Sequence, residues 1–160
     1  MFAVSVADKV NLRGLRVVIA GGKRESCEEA ERILNSGFHV PDCELIQARN
    51  SSEVDQTLLK HPNVVLCDKE LEDCDWRKVL IKAKQAPDPP SFILIADKED
   101  PALWLEVMEN GGFDMLARPL SPDLLVRVTA TGGRRWLRRK EVHRERRLNH
   151  WSQQQRPEVA

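Results

Sequence analysis

Hydrophobic and polar positions alternate in blocks along most of the chain. Short apolar runs, rich in β-branched residues and closed by Gly, Pro or an acidic residue, are typical of buried strands. The stretches between them carry apolar side chains three and four residues apart, which is the spacing of one helix face. The predicted strands are Leu15–Ala20, Cys43–Ala48, Val64–Asp68, Phe92–Ile95 and Phe113–Ala117.

A helix is predicted after each of these strands. Ser26 and Glu29 have the spacing of a capping box, and the helix that they open is expected to end at Gly37. Asp100 and Ser121 are each followed by proline, so each is expected to cap a helix that begins with that proline. The two other helices are predicted after Ser51 or Ser52 and over Trp76–Ala86.

Strict alternation of strands and helices predicts an α/β fold with right-handed crossovers and a parallel sheet that carries helices on both faces. The alternation does not by itself fix the strand order, so we adopt one of the two common orders of this class, 2-1-3-4-5, and expect a flavodoxin-like, doubly wound five-stranded sheet. In that order the first and third strands are neighbours. Gly21 and Gly22, which follow the first strand, would then face Asp68 at the tip of the third strand.

Length and composition agree with one domain and an appendage. The chain has 160 residues, of which 41% are apolar and 31% charged. No apolar run approaches the roughly 20 residues that cross a bilayer, and the N-terminus lacks the features of a signal peptide. We therefore expect a cytoplasmic protein without membrane insertion.

The net charge of zero conceals a division of the chain into an acidic body and a basic end. Residues 1–133 contain 16 Lys and Arg against 22 Asp and Glu, and residues 134–160 contain 9 against 3. We predict an N-terminal extension over 1–14, a domain over 15–133 and a basic helical tail over 134–160. Gly132-Gly133 could interrupt the helix that leads into the tail.

Candidate chemistry is concentrated at one position. Asp68 ends the third strand and is followed by an acidic loop, and ligands of open α/β sheets bind outside the carboxyl ends of the strands. Four cysteines, at positions 27, 43, 67 and 74, form no CxxC pair, and no histidine has zinc-like spacing. We therefore predict no metal site and no catalytic residue. That the protein is not an enzyme is expected only from the family resemblance given in the next paragraph.

The part of the chain from Leu15 to Arg135 resembles the receiver domains of two-component response regulators. The resemblance rests on the element order, on Val-Val-Leu-Cys-Asp68, on the segment 110–119 and on Ser121-Pro-Asp-Leu-Leu125. Receivers commonly carry an acidic pair after strand one, the phospho-acceptor Asp after strand three and a Thr or Ser after strand four. An aromatic switch residue in strand five and a Lys followed by cis-Pro complete the set.

Carried over by position, the resemblance implies that the acceptor is kept as Asp68 and that most of its companions are replaced. The acidic pair falls on Gly21 and Gly22, the hydroxyl on Ala96, the aromatic on Met115 and the lysine on Arg118, while Pro119 is retained with an expected cis bond. The resemblance implies a degenerate receiver that works through protein–protein contact, without a cofactor. Mg²⁺ is possible but is not expected to bind tightly, because the carboxylates that hold it are missing.

The expected partners are another signalling protein, either a histidine kinase or an output protein, or a second copy as a homodimer. Receivers often interact through their fourth and fifth helices, although most of these apolar residues could belong to the core. The residues concerned are Trp104, Val107, Met108, Leu124, Arg127 and Val128. Arg118 could also pair with Asp68 through both guanidinium nitrogens and close the site.

Three alternatives remain open. A receiver that is still phosphorylated on Asp68 could use the acids of the same rim, which are Glu70, Glu72, Asp73, Asp75, Asp97 and Asp100. A nucleic-acid-binding regulator could act through the tail, with a basic contact patch of Arg134, Arg135, Arg138, Arg139, Lys140, Arg144, Arg146 and Arg147. A small nucleotide-binding protein is suggested only by Gly21-Gly22-Lys23, which lacks the complete phosphate-loop patterns.

Overall fold

The computed structural model describes residues 14–37 and 43–155, in which five strands alternate with five helices. The strands are β1 (Leu15–Ala20), β2 (Cys43–Ala48), β3 (Val64–Asp68), β4 (Ser91–Ala96) and β5 (Asp114–Ala117). The helices are α1 (Arg24–Gly37), α2 (Ser51–Leu58), α3 (Trp76–Gln85), α4 (Pro101–Glu109) and α5 (Pro122–Gln154). All neighbouring strands pair in parallel in the order β2-β1-β3-β4-β5, so the predicted fold class and strand order are confirmed.

Two apolar layers cover the faces of the sheet, as the alternation of side chains along each strand requires. On one face Ile19 and Ile93 pack with Leu34 of α1 and Leu125 of α5. On the other face the members of the layer come from three helices as well as from the strands. They include Val18, Val65, Phe92, Val54 of α2, Trp76 of α3 and Val107 of α4. Burial on both faces explains why β4 is apolar at every position after Ser91.

The helix starts follow the predicted capping chemistry in two cases and differ in two. Asp100 and Ser121 cap α4 and α5 as expected, each before a proline. In contrast, α1 begins at Arg24, two residues before the predicted capping box. The cap of α2 is Asn50, whose side-chain oxygen accepts a hydrogen bond from the Glu53 amide at 2.9 Å. Asn is as good a cap as Ser, so the local sequence offered competing starts.

The fifth helix runs for 33 residues through Gly132 and Gly133 without a break. The possible interruption at these glycines is therefore not present. A Cβ at position 132 would lie 3.2 Å from Ser91 Cβ, and one at 133 would lie 2.4 Å from Leu15 Cδ1. The Ser91 hydroxyl also donates to the Gly132 carbonyl at 2.8 Å. The two glycines allow α5 to pack closely against the starts of β1 and β4.

Two predicted boundaries extend beyond the described residues. Of the extension predicted over 1–14, only Gly14 is described, and the tail is described as far as residue 155. Within the described residues no helix combines the length and the apolar character that a membrane span needs.

Replacing Gly133 by Ala tests the close packing of α5. We expect the free energy of unfolding to fall by about 1 kcal/mol, because overpacking against Leu15 outweighs the better helix propensity of Ala. The control is Thr131→Ala on the exposed side of the same helix, which should gain a few tenths of a kcal/mol or remain neutral. Chemical denaturation measures both variants, and equal gains would contradict the packing.

Candidate functional site

Asp68 is the last residue of β3 and lies at the carboxyl edge of the sheet. Its strand is paired with β4 on one side, where Asp68 is in register with Ile95, and with β1 on the other. The side chain retains only 15% of its exposure. The structure therefore places the predicted acceptor at the switch point of the sheet, in a largely desolvated position.

Arg118 makes the closest charged contact to this carboxylate. Its Nη2 donates to Asp68 Oδ1 at 2.9 Å, while Nη1 lies 3.5 Å from Asp97 Oδ1. The Arg118 amide donates to the Ala96 carbonyl at 2.9 Å, and the peptide bond to Pro119 is cis as predicted. The pairing of Arg118 with Asp68 is present, but through one nitrogen and not two, because the other faces Asp97.

Burial and the guanidinium act on Asp68 in opposite directions. Desolvation raises the pKa of Asp68 above its ordinary value, and the hydrogen bond and positive charge of Arg118 oppose that rise. Asp97 and Glu29 add smaller increases. Burial also raises the pKa of the neighbouring Cys27 thiol to about 11, which leaves this group protonated and unreactive near neutral pH.

Gly21 lies directly behind the carboxylate. A Cβ at this position would be 2.5 Å from Asp68 Oδ2 and 3.2 Å from Cys27 Sγ. The Asp68 carboxylate thus occupies the space that a side chain at position 21 would need. The receiver pattern expects an acid here, and the absence of one lets Asp68 turn inward against the β1 end.

The loop between β3 and α3 closes over Gly22. The Gly22 amide donates to the Glu70 carbonyl at 3.0 Å, and the Glu72 amide donates to the Arg49 carbonyl at 2.9 Å. A Cβ on Gly22 would meet the loop backbone at 3.0 Å, at the carbonyl carbon of Leu71. Leu71 itself is buried in the core layer below. The packing of this loop on Gly22 was not predicted from the sequence, although a single leucine among acidic residues indicates a buried position within the loop.

Three of the six rim acids, Asp73, Asp75 and Asp100, have side chains that stabilise the local structure. Asp73 accepts from the amide and the hydroxyl of Ser51 at 2.9 and 2.6 Å, which fastens the loop to the start of α2. Asp75 and Asp100 cap α3 and α4. Asp97 is the second acid close to Arg118.

A magnesium ion does not fit this arrangement. Between residues 14–37 and 43–155 there is no group of three or more His, Cys, Asp or Glu side chains that could hold a metal. The oxygen donor nearest the switch point, Asp68, is paired with a guanidinium, and the positions of the acidic pair are glycines against which a carboxylate and a loop are packed. Mg²⁺ in proteins is usually held by one or two carboxylates together with waters in near-octahedral geometry, and the carboxylate at the switch point is already paired with Arg118.

The two other replaced positions are apolar in their surroundings as well as in their side chains. Ala96 is buried at the end of β4 and offers no hydroxyl. Met115 is partly buried and packs against the core layer that contains Trp76 and Phe92. The structure therefore brings Gly21, Gly22, Ala96 and Arg118 around Asp68, while Met115 lies within β5, which β4 separates from β3.

The predicted basic patch does not belong to this site. The α5 arginines lie near the amino edge of the sheet, where Arg139 Nη2 donates to the Pro89 carbonyl at 2.9 Å. Arg135 lies over the Phe113 ring and Lys140 over the Trp136 ring, at 5.3 and 4.8 Å from the ring centroids. Asp68 is at the opposite, carboxyl edge. The chain therefore has two separate candidate sites.

No protein-family model and no curated protein matches this chain. Solved receiver domains do match it in structure. The signal receiver domain of a Vibrio parahaemolyticus protein named as a Luxo repressor has a TM-score of 0.71 at 19% identity, over 82% of this chain and 98% of that one. The response regulator domain of Thermotoga maritima CheB gives 0.65 at 18%, over 76% and 98%. The response regulatory domain of Klebsiella pneumoniae mrkE gives 0.63 at 16%, over 78% and 99%.

These similarities show that the chain has the fold of response-regulator receiver domains, as the sequence analysis predicted. The matched chains are covered almost completely, so the likeness extends to the whole receiver domain and not to one βαβ unit. Sequence identities below one fifth establish the shared fold only. The chemistry of the site has to be inferred from the residues of this chain.

Replacing Arg118 by Ala should raise the pKa of Asp68 further, because only desolvation and neighbouring acids then act on it. We expect a loss of about 2 kcal/mol in the free energy of unfolding at neutral pH, since a partly buried carboxylate is left without its partner. A carboxyl whose pKa is higher in the folded than in the unfolded protein destabilises the fold as pH rises through that interval. The loss should therefore shrink as the pH is lowered and Asp68 becomes protonated.

Carboxyl NMR titration and denaturation at several pH values measure this effect. The control is Arg24→Ala, which removes an exposed pair with Glu28 and should leave the pKa of Asp68 unchanged. An Arg118→Ala protein with the wild-type titration and wild-type stability would show that the contact has no energetic role.

Proposed function

We propose that this chain is a degenerate receiver of a two-component pathway, which acts by binding another signalling protein and not by accepting a phosphoryl group. The observation that carries this proposal is the contact between Arg118 and Asp68 beside two glycines that take the place of the metal-holding acids. The receiver fold supports a role in two-component signalling, and the residues around Asp68 support the loss of phosphoryl transfer.

Phosphoryl transfer depends on positioning and on compensation of charge in the transition state. A cleft of about 520 Å³ opens in front of Asp68, so a small phosphodonor is not sterically excluded from the carboxylate. The missing factor is charge compensation, because the residues at the switch point do not form a divalent-cation site. Arg118 already donates to one oxygen of the acceptor, Oδ1, at 2.9 Å, so the guanidinium competes with a phosphodonor for this carboxylate.

The conformational response of a receiver would be missing as well. Ala96 has no group that could bond a phosphoryl oxygen, and Met115 is held against the core. Arg118 is a planar guanidinium where the pattern has a compact ammonium, and the two are not interchangeable at such a contact. The protein would present one conformation to its partner.

A binding surface is available on α4 and α5. Trp104 and Leu105 of α4 and Leu124 of α5 retain 44, 51 and 43% of their exposure, whereas Val107 and Val128 are buried and belong to the core. Exposed large apolar side chains are common in interface centres. The proposed partners are a histidine kinase, an output protein or a second copy of the chain, bound through these residues.

Titration with MgCl₂ or MnCl₂ tests the metal-free site. Isothermal calorimetry should detect no binding heat at millimolar metal, because glycines replace the acidic pair and Asp68 is already paired with Arg118. A receiver domain that contains the acidic pair serves as the positive control. Saturable heat that disappears in the Asp68→Asn variant would refute this part of the proposal.

Incubation with acetyl phosphate and Mg²⁺ tests the phosphorylation cycle itself. Intact-mass analysis should show no added phosphoryl group under conditions that label the positive-control receiver. A mass gain that is lost in Asp68→Asn would establish the rival function, a phosphorylation-competent receiver. A gain that persists in that variant would identify another acceptor and would leave the proposal for Asp68 intact.

A further inference from the structure

The last part of α5 extends beyond the body of the protein. The body contacts that can be followed along this helix end with Trp136, whose Nε1 donates to the Asp88 carbonyl at 3.1 Å, and with Arg139. Residues 140–154 continue as α-helix and are exposed. At 1.5 Å per residue this segment projects by about 22 Å.

Basic and acidic side chains are separated on this projecting segment. At 3.6 residues per turn, five basic or imidazole side chains of this segment fall within an arc of about 120° around the helix axis. We call this the cationic face, and it consists of Lys140, His143, Arg146, Arg147 and His150. Glu141 and Glu145 fall on the opposite side of the helix. The cationic face continues the side of α5 that buries Gly132 and Trp136 against the body.

A groove confirms that these side chains share one surface. A groove with a volume of about 580 Å³ is lined by His143, Arg146, Arg147 and His150, together with Trp151 and Gln154. Pro87 and Asp88 line its inner end. The groove therefore lies between the projecting helix and the amino edge of the sheet. Asp88 makes the inner end unfavourable for an anion, so the outer part is the attractive one.

The positive charge of the tail has no internal counterpart among the described residues. Within the described residues, 14–37 and 43–155, every salt bridge lies in the body. None involves an arginine or lysine of the segment 134–154. Several body acids are already paired, namely Glu28, Glu44, Asp55, Asp75 and Glu106. The tail therefore carries positive charge that no salt bridge of the described residues neutralises.

We propose that the cationic face binds the phosphate backbone of duplex DNA. Arginine and lysine side chains on one side of a helix are common contacts to duplex phosphates, and such contacts do not require the helix to enter a groove. Residues four positions apart on the face, such as His143 and Arg147, are separated by about 6 Å along the axis, which is close to two phosphate steps of one strand at about 3.4 Å each. Contacts to phosphates carry no sequence information, so the binding is independent of base sequence.

Two other occupants fit the same observations less well. A second copy of the acidic body offers a scattered set of carboxylates, several of which are engaged in the salt bridges above. A membrane surface needs a continuous apolar stripe opposite the cations. Here Leu137, Leu148 and Trp151 share a side of the helix with Glu141 and Arg144, which interrupt the stripe.

Fluorescence anisotropy with a labelled 20-base-pair duplex of mixed sequence tests the proposal on the whole chain. With one phosphate contacted by each of Lys140, Arg146 and Arg147, the logarithmic salt slope is about −2.7, so affinity should fall roughly 40-fold between 50 and 200 mM salt. The variant Lys140→Gln, Arg146→Gln, Arg147→Gln should bind at least about tenfold more weakly at 50 mM and lose most of that slope.

The matched control is Arg134→Gln, Arg138→Gln, Arg144→Gln, which removes the same charge from exposed positions outside the cationic face. It should retain most of the affinity, and an equal loss in both variants would overturn the assignment of this face. Absence of duplex binding by the unchanged chain would also overturn the proposal. If sedimentation then showed a salt-sensitive dimer that the first variant abolished, the occupant would be a second copy instead.

The variant Asp68→Asn separates this inference from the proposed function. It should bind the duplex as the unchanged chain does, because Asp68 lies at the opposite edge of the sheet. Loss of binding in that variant would contradict the independence of the two sites.

Discussion

The site is organised by the cost of keeping one carboxylate largely out of water. Asp68 is delivered to the carboxyl edge by a buried strand, and burial alone would favour its protonated form. Arg118 offsets that cost with one hydrogen bond, from a position set by the end of β5. An ion pair of this kind is a modest source of stability, but removing one partner leaves a charge that the surroundings cannot solvate.

The same constraint accounts for the loop above the site. Since position 21 has no side chain, the carboxylate turns inward, and since position 22 has none, the loop backbone packs directly on it. Leu71 then inserts into the core, and Asp73 fastens the loop to α2. Two glycines, one leucine and one guanidinium thus surround the carboxylate with packing contacts and hydrogen bonds.

The fold was predictable because its signals are local and repeated. Apolar runs of strand length, helical spacing between them and proline after a capping residue each recur along the chain, and they agreed on one topology. Helix starts were less certain where two capping residues compete, as at Asn50 and Ser51. The core membership of Val107 and Val128, offered as possible surface residues, depends on how the helices lie on the sheet.

The site was predictable in its members and less so in its geometry. The order of the strands was enough to bring Gly21, Gly22 and Arg118 to Asp68. The single-nitrogen contact depends on the position of Asp97, and the closed loop depends on where Leu71 finds burial. Gly132-Gly133 was misleading for a similar reason, because the cost of glycine in a helix was visible in the sequence and the neighbouring strand was not.

The close approach of α5 to the sheet has a mechanical consequence. The helix begins three residues after Pro119, next to the Asp68 edge, and is fastened near the opposite edge by Trp136. Beyond that contact the helix is supported at one end only. A tilt of about 5° at the anchor would displace the free tip by about 2 Å. The contact at Trp136 therefore sets the direction in which the end of the helix points.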